Sequence, residues 1–300
     1  MKKLINLVLY ILFFFVITTQ IYSQSAYNIL IQPSTARNIA LSGGGISTPT
    51  SSPNSNIATI EVNNLLFGTG IIFYPAEIVG NSTYFFKKTK TGIIGCELFS
   101  INYGTMEDGE THQTFTAKDI LLKVHYKTKI WNSLSVGMSI NYLKSNIENY
   151  TSNVVSADFG LRTSVLERRL MMSVSAQNLG RVIKSYGQTI EQLPERYILG
   201  LSYKPIHFPG ILSLDFQQYK GDDQRFIGAI EFNPNGKFQL RISTGDHRWG
   251  LTTGSFWDDV FTGIAFGAGF TVSSTTIDIG FQNFGSAGFV NVLSIKYSIK

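Results

Sequence analysis

From about residue 66 to the C-terminus the chain keeps a two-residue rhythm. Leu134, Val136, Met138, Ile140 and Tyr142 alternate with Ser135, Gly137, Ser139 and Asn141, and segments of this kind recur almost to the last residue. Successive side chains of a strand point to opposite faces, so each segment carries one apolar face and one face of small or polar residues. Such strands need a second sheet to cover them, or hydrocarbon. In hydrocarbon every backbone N–H and C=O must be paired within the protein, and the β solution is a closed barrel.

Composition favours the barrel. Charged residues are 15% of the chain, against about 25% in soluble domains. The chain holds 22 Phe and 14 Tyr, as aromatic girdles at two membrane interfaces require. Beyond the first residues no segment has the continuous apolar run of about 20 residues that a membrane helix needs. Met1-Lys2-Lys3, the apolar run Leu4 to Ile17 and the stretch Thr18 to Ser23 read as a signal peptide over 1–23, with cleavage between Ser23 and Gln24. Cys96 is the one cysteine, which leaves neither an internal disulfide nor a lipid-anchor cysteine at the cleavage point. The formal charge of +5 falls by two, to +3, once Lys2 and Lys3 leave. That mild, scattered excess does not call for nucleic acid.

The pattern predicts an all-β, 14-stranded antiparallel transmembrane barrel over residues 62–300. Strands are expected near 66–74, 81–88, 92–102, 115–128, 133–146, 152–163, 169–177, 196–204, 211–219, 225–232, 237–244, 262–272, 275–284 and 289–299. Connections after even strands are tight: Thr89-Lys90-Thr91, Ile130-Trp131-Asn132, Asn233-Pro234-Asn235-Gly236 and Ser273-Ser274. The long ones, Tyr103–Thr114, Asn178–Glu195 and Gly245–Phe261, follow odd strands. Bacterial barrels pair short periplasmic turns with longer external loops, so both termini are expected in the periplasm.

A charge at the lipid midplane costs about 2–4 kcal/mol. The strand charges Glu97, Lys123, Asp158, Arg162, Asp215 and Arg241 are therefore expected to face the lumen, either as ladders that fill it or as selectivity groups. Residues 24–61 lack alternation and hold Ser42-Gly43-Gly44-Gly45 and Thr48-Pro49-Thr50-Ser51-Ser52-Pro53-Asn54. A disordered lead-in is one reading. Ile29, Ile31, Ala36, Ile39, Ala40 and Leu41 favour the other, an N-terminal plug inside the barrel. Gly263, Gly267 and Gly269 suggest close approach of plug or loop to the wall.

Chemistry is harder to find. Asp246-His247 and Asp258-Asp259 share one long loop and would suit general-base hydrolysis, but as adjacent residues they diverge, and a polar loop is the simpler reading. His112, His125, His207 and His247 have no ligand spacing. Glu107-Asp108-Gly109-Glu110 reads as an acidic turn before a calcium loop. No cofactor or metal site is read, and a non-enzymatic role is expected. Trp249, Phe256, Trp257 and Phe261, in the loop that carries the Asp–His pair, are candidates for partner contact or for a girdle.

The order of several short motifs resembles the PorV/PorQ group of outer-membrane barrels from Bacteroidetes-type bacteria, relatives of the FadL hydrophobic-transport barrels. The matching stretches are Ser34-Thr35-Ala36-Arg37, Leu41-Ser42-Gly43-Gly44, Asn102-Tyr103-Gly104 and Phe115-Thr116-Ala117-Lys118-Asp119, then Leu134-Ser135-Val136-Gly137, Ser156-Ala157-Asp158-Phe159-Gly160-Leu161, Gln177-Asn178-Leu179-Gly180 and Leu193-Pro194-Glu195. Where that group carries an acidic pair and an Asn-Pro-Ala step before the first strand, this chain has Thr48-Pro49-Thr50 and Asn63-Asn64-Leu65. The resemblance implies a barrel of the type IX secretion system, monomeric within a complex in the outer membrane. Its external loops would bind translocon or attachment proteins, or the C-terminal domains of cargo. The alternative is a FadL-like transporter of hydrophobic small molecules. A lumen packed with paired charges would argue for the first, and an apolar pocket near residues 24–61 opening sideways for the second.

Overall fold

The computed structural model describes residues 26–109, 112–221, 224–245 and 261–299. Fourteen antiparallel strands close into one barrel: β1 Leu65–Phe73, β2 Val79–Lys88, β3 Ile93–Glu107, β4 Thr114–Lys129, β5 Leu134–Ile147, β6 Tyr150–Val165, β7 Leu170–Lys184, β8 Arg196–Tyr203, β9 Gly210–Tyr219, β10 Gln224–Phe232, β11 Phe238–Gly245, β12 Ile264–Val272, β13 Thr275–Asn283 and β14 Phe289–Ile299. Each strand pairs with its sequence neighbours, and β1 closes on β14 with Leu66 opposite Ser298 and Ile72 opposite Val292. Closure leaves no unpaired sheet edge, which is what a β structure in lipid requires. No helix among the described residues is long and apolar enough to cross a membrane.

The two faces of the wall separate as alternation demands. Leu122, Val124, Phe159, Leu161, Leu214 and Ile279 are exposed on the outside, while Ser139, Asn141, Asp158, Asp215 and Asp278 are buried within. Exposed aromatics gather near both strand ends: Phe73, Tyr150, Tyr197, Phe226 and Phe289 toward one rim, and Phe67, Tyr203, Phe238, Phe270 and Tyr297 toward the other. This is the apolar band with flanking girdles of a membrane barrel. We call the rim where β1 begins and β14 ends the terminal rim, and the opposite one the long-loop rim.

Two strands run further than the sequence suggests. β3 continues from 102 to Glu107 and β7 from 177 to Lys184. In both, turn-forming residues sit inside the strand as a bulge: pairing of β3 with β4 shifts between Asn102 and Thr105, where Gly104 has φ +75°, and Asn178 of β7 has φ +59° beside the β6–β7 shift. A bulge accommodates one extra residue by bending the strand rather than ending it, and Asn and Gly tolerate the conformation. The connection after β3 thereby shrinks to 108–113, no longer than 204–209 at the terminal rim. The longest connections, 185–195 and 246–263, still follow odd strands.

Residues 27–62 lie inside the barrel as an N-terminal plug. A 3-10 turn, Asn28–Leu30, sits toward the long-loop rim, and the chain descends through a short helix, α1 (Ala36–Ala40), to a second 3-10 turn, Ile57–Thr59, before entering β1. Thr35 and Asn56 cap the last two, each side chain accepting a backbone N–H bond from Asn38 and Ala58 respectively.

Candidate functional site: the plugged lumen

The wall is shaped to the plug by what it omits. A Cβ on Gly160 would fall on the Asn56 side chain, one on Gly137 on Ile57 and Ala58, one on Gly280 on the Ala36 carbonyl and one on Gly267 on the Ala40 Cβ. The expectation of close approach thus holds at Gly267. Gly269 instead lies under the Asp278–Arg241 pair, and Gly263, φ +75°, belongs to the turn before β12.

The lumen has two chemical halves. On the β1–β6 side, toward the long-loop rim, inward positions are apolar: Ile72, Phe99, Ile101, Leu121, Leu143 and Val154. The chain fills this compartment itself with Tyr27, Ile29, Leu30 and Ile39, all buried. Tyr27 stacks on Tyr186 at 6.2 Å between centroids, and its hydroxyl shares a 2.7 Å bond with Ser152 Oγ. A polar collar lies next to it: Tyr103 Oη donates to Asp119 at 2.9 Å, Ser145 also donates to Asp119, and Tyr186 donates to Ser145. Burial pushes the Tyr186 phenol up to about 12, so it is a neutral donor at ordinary pH. A smaller apolar cluster (Ile57, Ile60 and Val62 on Leu66, Tyr84 and Phe86) seals the plug at the terminal rim.

The β10–β14 side is charged. Arg37, on α1, forms a fork with Glu231 (2.9 Å from Nε, 2.5 Å from Nη2) and donates from Nη2 to Thr48 Oγ1 at 2.6 Å. Glu231 also accepts from Arg241 Nε at 3.3 Å, Arg241 Nη1 reaches Asp278 at 2.7 Å, and Asp278 meets Lys296 Nζ at 3.3 Å. One ion-pair chain therefore ties the plug to β10, β11, β13 and β14. Sequence reading found Arg241 but did not single out Arg37, Glu231, Asp278 or Lys296 as a set. Partners far apart in sequence meet only through barrel closure and the plug.

The other lumen candidates lie inside, but in separate roles. Glu97 is buried, accepts from Ser34 Oγ of the plug, and lies 3.6 Å from His125 Nε2; His125 Nδ1 in turn bonds Ser139 Oγ at 2.7 Å. Lys123 is half-buried opposite Glu97 in the β3–β4 register. Asp158 accepts the Asn178 N–H at 2.8 Å and so holds the β7 bulge, while Asn178 Nδ2 donates to the Pro194 carbonyl at 3.0 Å. Arg162 Nε donates to the Ser47 carbonyl at 2.9 Å. Asp215 is fully buried and accepts the Gly45 N–H. Apart from Lys123, these charges meet plug backbone, plug side chains or a bulge rather than an open channel.

Among the loop candidates, Phe261 is exposed near the long-loop rim. Trp249, Phe256 and Trp257, with Asp246, His247, Asp258 and Asp259, lie outside the described residues. Glu107 bonds His112 at 2.6 Å on an exposed turn.

No protein-family model and no curated protein matches this sequence. Solved structures do match the fold. The Ralstonia pickettii toluene transporter TbuX superposes with a TM-score of 0.65 at 12% identity, over 90% of this chain and 99% of that one. The CymD monoaromatic hydrocarbon channel gives 0.65 at 11%, over 90% and 98%. A Pseudomonas aeruginosa FadL homologue gives 0.55 at 10%, over 90% and 100%. The chain therefore has the FadL-like barrel fold. At these identities the likeness is one of fold, and none of the three structures bears on the narrower PorV/PorQ resemblance.

Proposed function

We propose that this chain is an outer-membrane channel for small hydrophobic molecules, with the Tyr27–Leu30 turn as its gate, the long loops outside the cell and both termini in the periplasm. The observation that carries the reading is the apolar compartment inside a barrel, where a water-filled pore would present polar side chains. Fully burying an Ile or Leu side chain contributes about 1.5–3 kcal/mol, so expelling Ile29 and Leu30 into water is costly. An apolar solute that takes their place recovers those contacts; a sugar or an ion does not. This selects for hydrophobic cargo by chemistry rather than by size. Two proteins with this fold, TbuX and CymD, are described as a toluene transporter and a monoaromatic hydrocarbon channel, which agrees with that selection. Uptake of labelled toluene into cells producing the protein should exceed the empty-vector control. It should fall to that control when Ile101→Arg and Leu121→Arg together line the compartment with charge. Uptake equal to the control in the unmodified protein refutes the channel.

A second reading, a scaffold of type IX secretion that binds partners through its external loops, is favoured by one observation: the β10–β14 side of the lumen is packed with paired charges and a docked plug. Affinity purification from native outer membrane tests it. Recovery of translocon or attachment proteins supports it, and recovery of the barrel with lipid alone rejects it.

A further inference from the structure

Beneath the plug, at the terminal rim, lies a cavity of about 590 Å³ that the channel reading does not use. Its inner wall is Arg37, Glu231, Gln239 and Lys296; the plug bend Pro49–Ser51 borders it, and the turn 204–211 closes its outer side with Lys204, His207 and Phe208. The ion-pair chain at this wall has three cations, Arg37, Arg241 and Lys296, against two carboxylates, Glu231 and Asp278. Asp215 also feels the Arg37 charge and offsets part of it, but it does not line the cavity, whose own walls set Arg37, Lys204 and Lys296 against Glu231 alone. Arg37 lines the cavity but is buried, and its unpaired Nη1 is itself out of reach of solvent, so what it brings to the cavity is charge. Buried cations in excess around one cavity are costly unless an anion joins them.

We infer that this cavity is a binding site for a small oxyanion, a carboxylate or phosphate group, held by Arg37 and Lys296. The planar guanidinium and the compact ammonium are the two side chains suited to such a group. Gln239, Thr50 and Ser51 supply neutral hydrogen-bonding groups on the same wall, and Lys204 and His207 set a basic mouth. The site stands independently of whether hydrophobic molecules cross the lumen, because it is reached from the terminal rim and needs no movement of the Tyr27–Leu30 turn.

Calorimetric titration of the full-length protein in a non-ionic detergent, with inorganic phosphate and with hexanoate as separate probes, tests the inference. At least one probe should bind saturably with one site per chain. Lys296→Met should weaken it at least tenfold. Gln239→Glu, which sets a carboxylate of the chain's own on the cavity wall without removing a cation, should abolish it and keeps the test decisive should Lys296→Met fail to fold. Binding of phosphate alone assigns a phosphate-bearing ligand, binding of hexanoate alone an organic acid, and binding of both a general oxyanion site. Absence of saturable binding by either probe, or binding unchanged in Gln239→Glu, overturns it.

Discussion

Single atoms decide how the plug sits. Gly160 and Asn56 face each other so closely that a methyl group has no room, and Asn56 also caps the 3-10 turn and donates to the Leu161 carbonyl at 3.2 Å. Gly160→Ala should therefore destabilise the folded barrel by about 1–3 kcal/mol, the usual cost of overpacking. Asn56→Ala alone should cost about 1 kcal/mol through the lost cap. Combined, the two should cost less than their sum, because the shorter side chain makes room for the new methyl. Urea unfolding of the single and double variants in detergent measures this coupling; strict additivity would mean that the two residues do not touch. The glycine stands in the run Ser156-Ala157-Asp158-Phe159-Gly160-Leu161, but nothing in that run marks its partner, about a hundred positions earlier.

At the scale of the element, the ion-pair chain converts five side chains on five segments into one clamp. Arg241 is its hinge: it bonds Glu231 on the neighbouring strand and Asp278 two strands away. Removing one member of a buried network leaves its partners uncompensated, at a cost of about 3–5 kcal/mol. Arg241→Met should lower the temperature at which the folded band converts to the unfolded band on a heated SDS gel. Replacing an exposed cation such as Lys144 should leave it in place. Bulges belong to this scale too. The run Gln177-Asn178-Leu179-Gly180 carries turn residues and reads as a strand end, yet β7 passes through it because Asp158 supplies the acceptor that the bulged Asn178 N–H needs. Local propensity saw the kink; the partner that lets the strand continue lies on the next strand.

The whole molecule is a wall between two solvents, and its orientation can be read directly. Gly187 lies in the connection 185–195, where a Cβ added to it would meet nothing within 4 Å, whereas Thr89–Thr91 turns at the terminal rim. An epitope inserted after Gly187 should be labelled by antibody on intact cells, and one inserted after Lys90 only after the outer membrane is permeabilised. The reverse pattern would invert the proposed topology and put the oxyanion cavity on the outside of the cell. The apolar compartment, toward the long-loop rim, and the charged clamp, toward the terminal rim, share one lumen and meet along β14. The two predicted signatures, paired charges for a scaffold and an apolar pocket for a transporter, are thus both present, and the pocket is filled by the plug rather than open sideways.

Two-residue alternation, scarce charge and abundant aromatics were enough to point to a 14-stranded barrel with its charges turned inward, because lipid on one side of every strand leaves a repeating local mark; for residues 24–61 the apolar side chains favoured a plug over a disordered lead-in without deciding between them. Which charges meet, where the lumen turns greasy, and which guanidinium is left with a spare donor were decided only by closure and plugging. Those contacts join positions up to about 260 residues apart, and no local pattern records a partner at that distance.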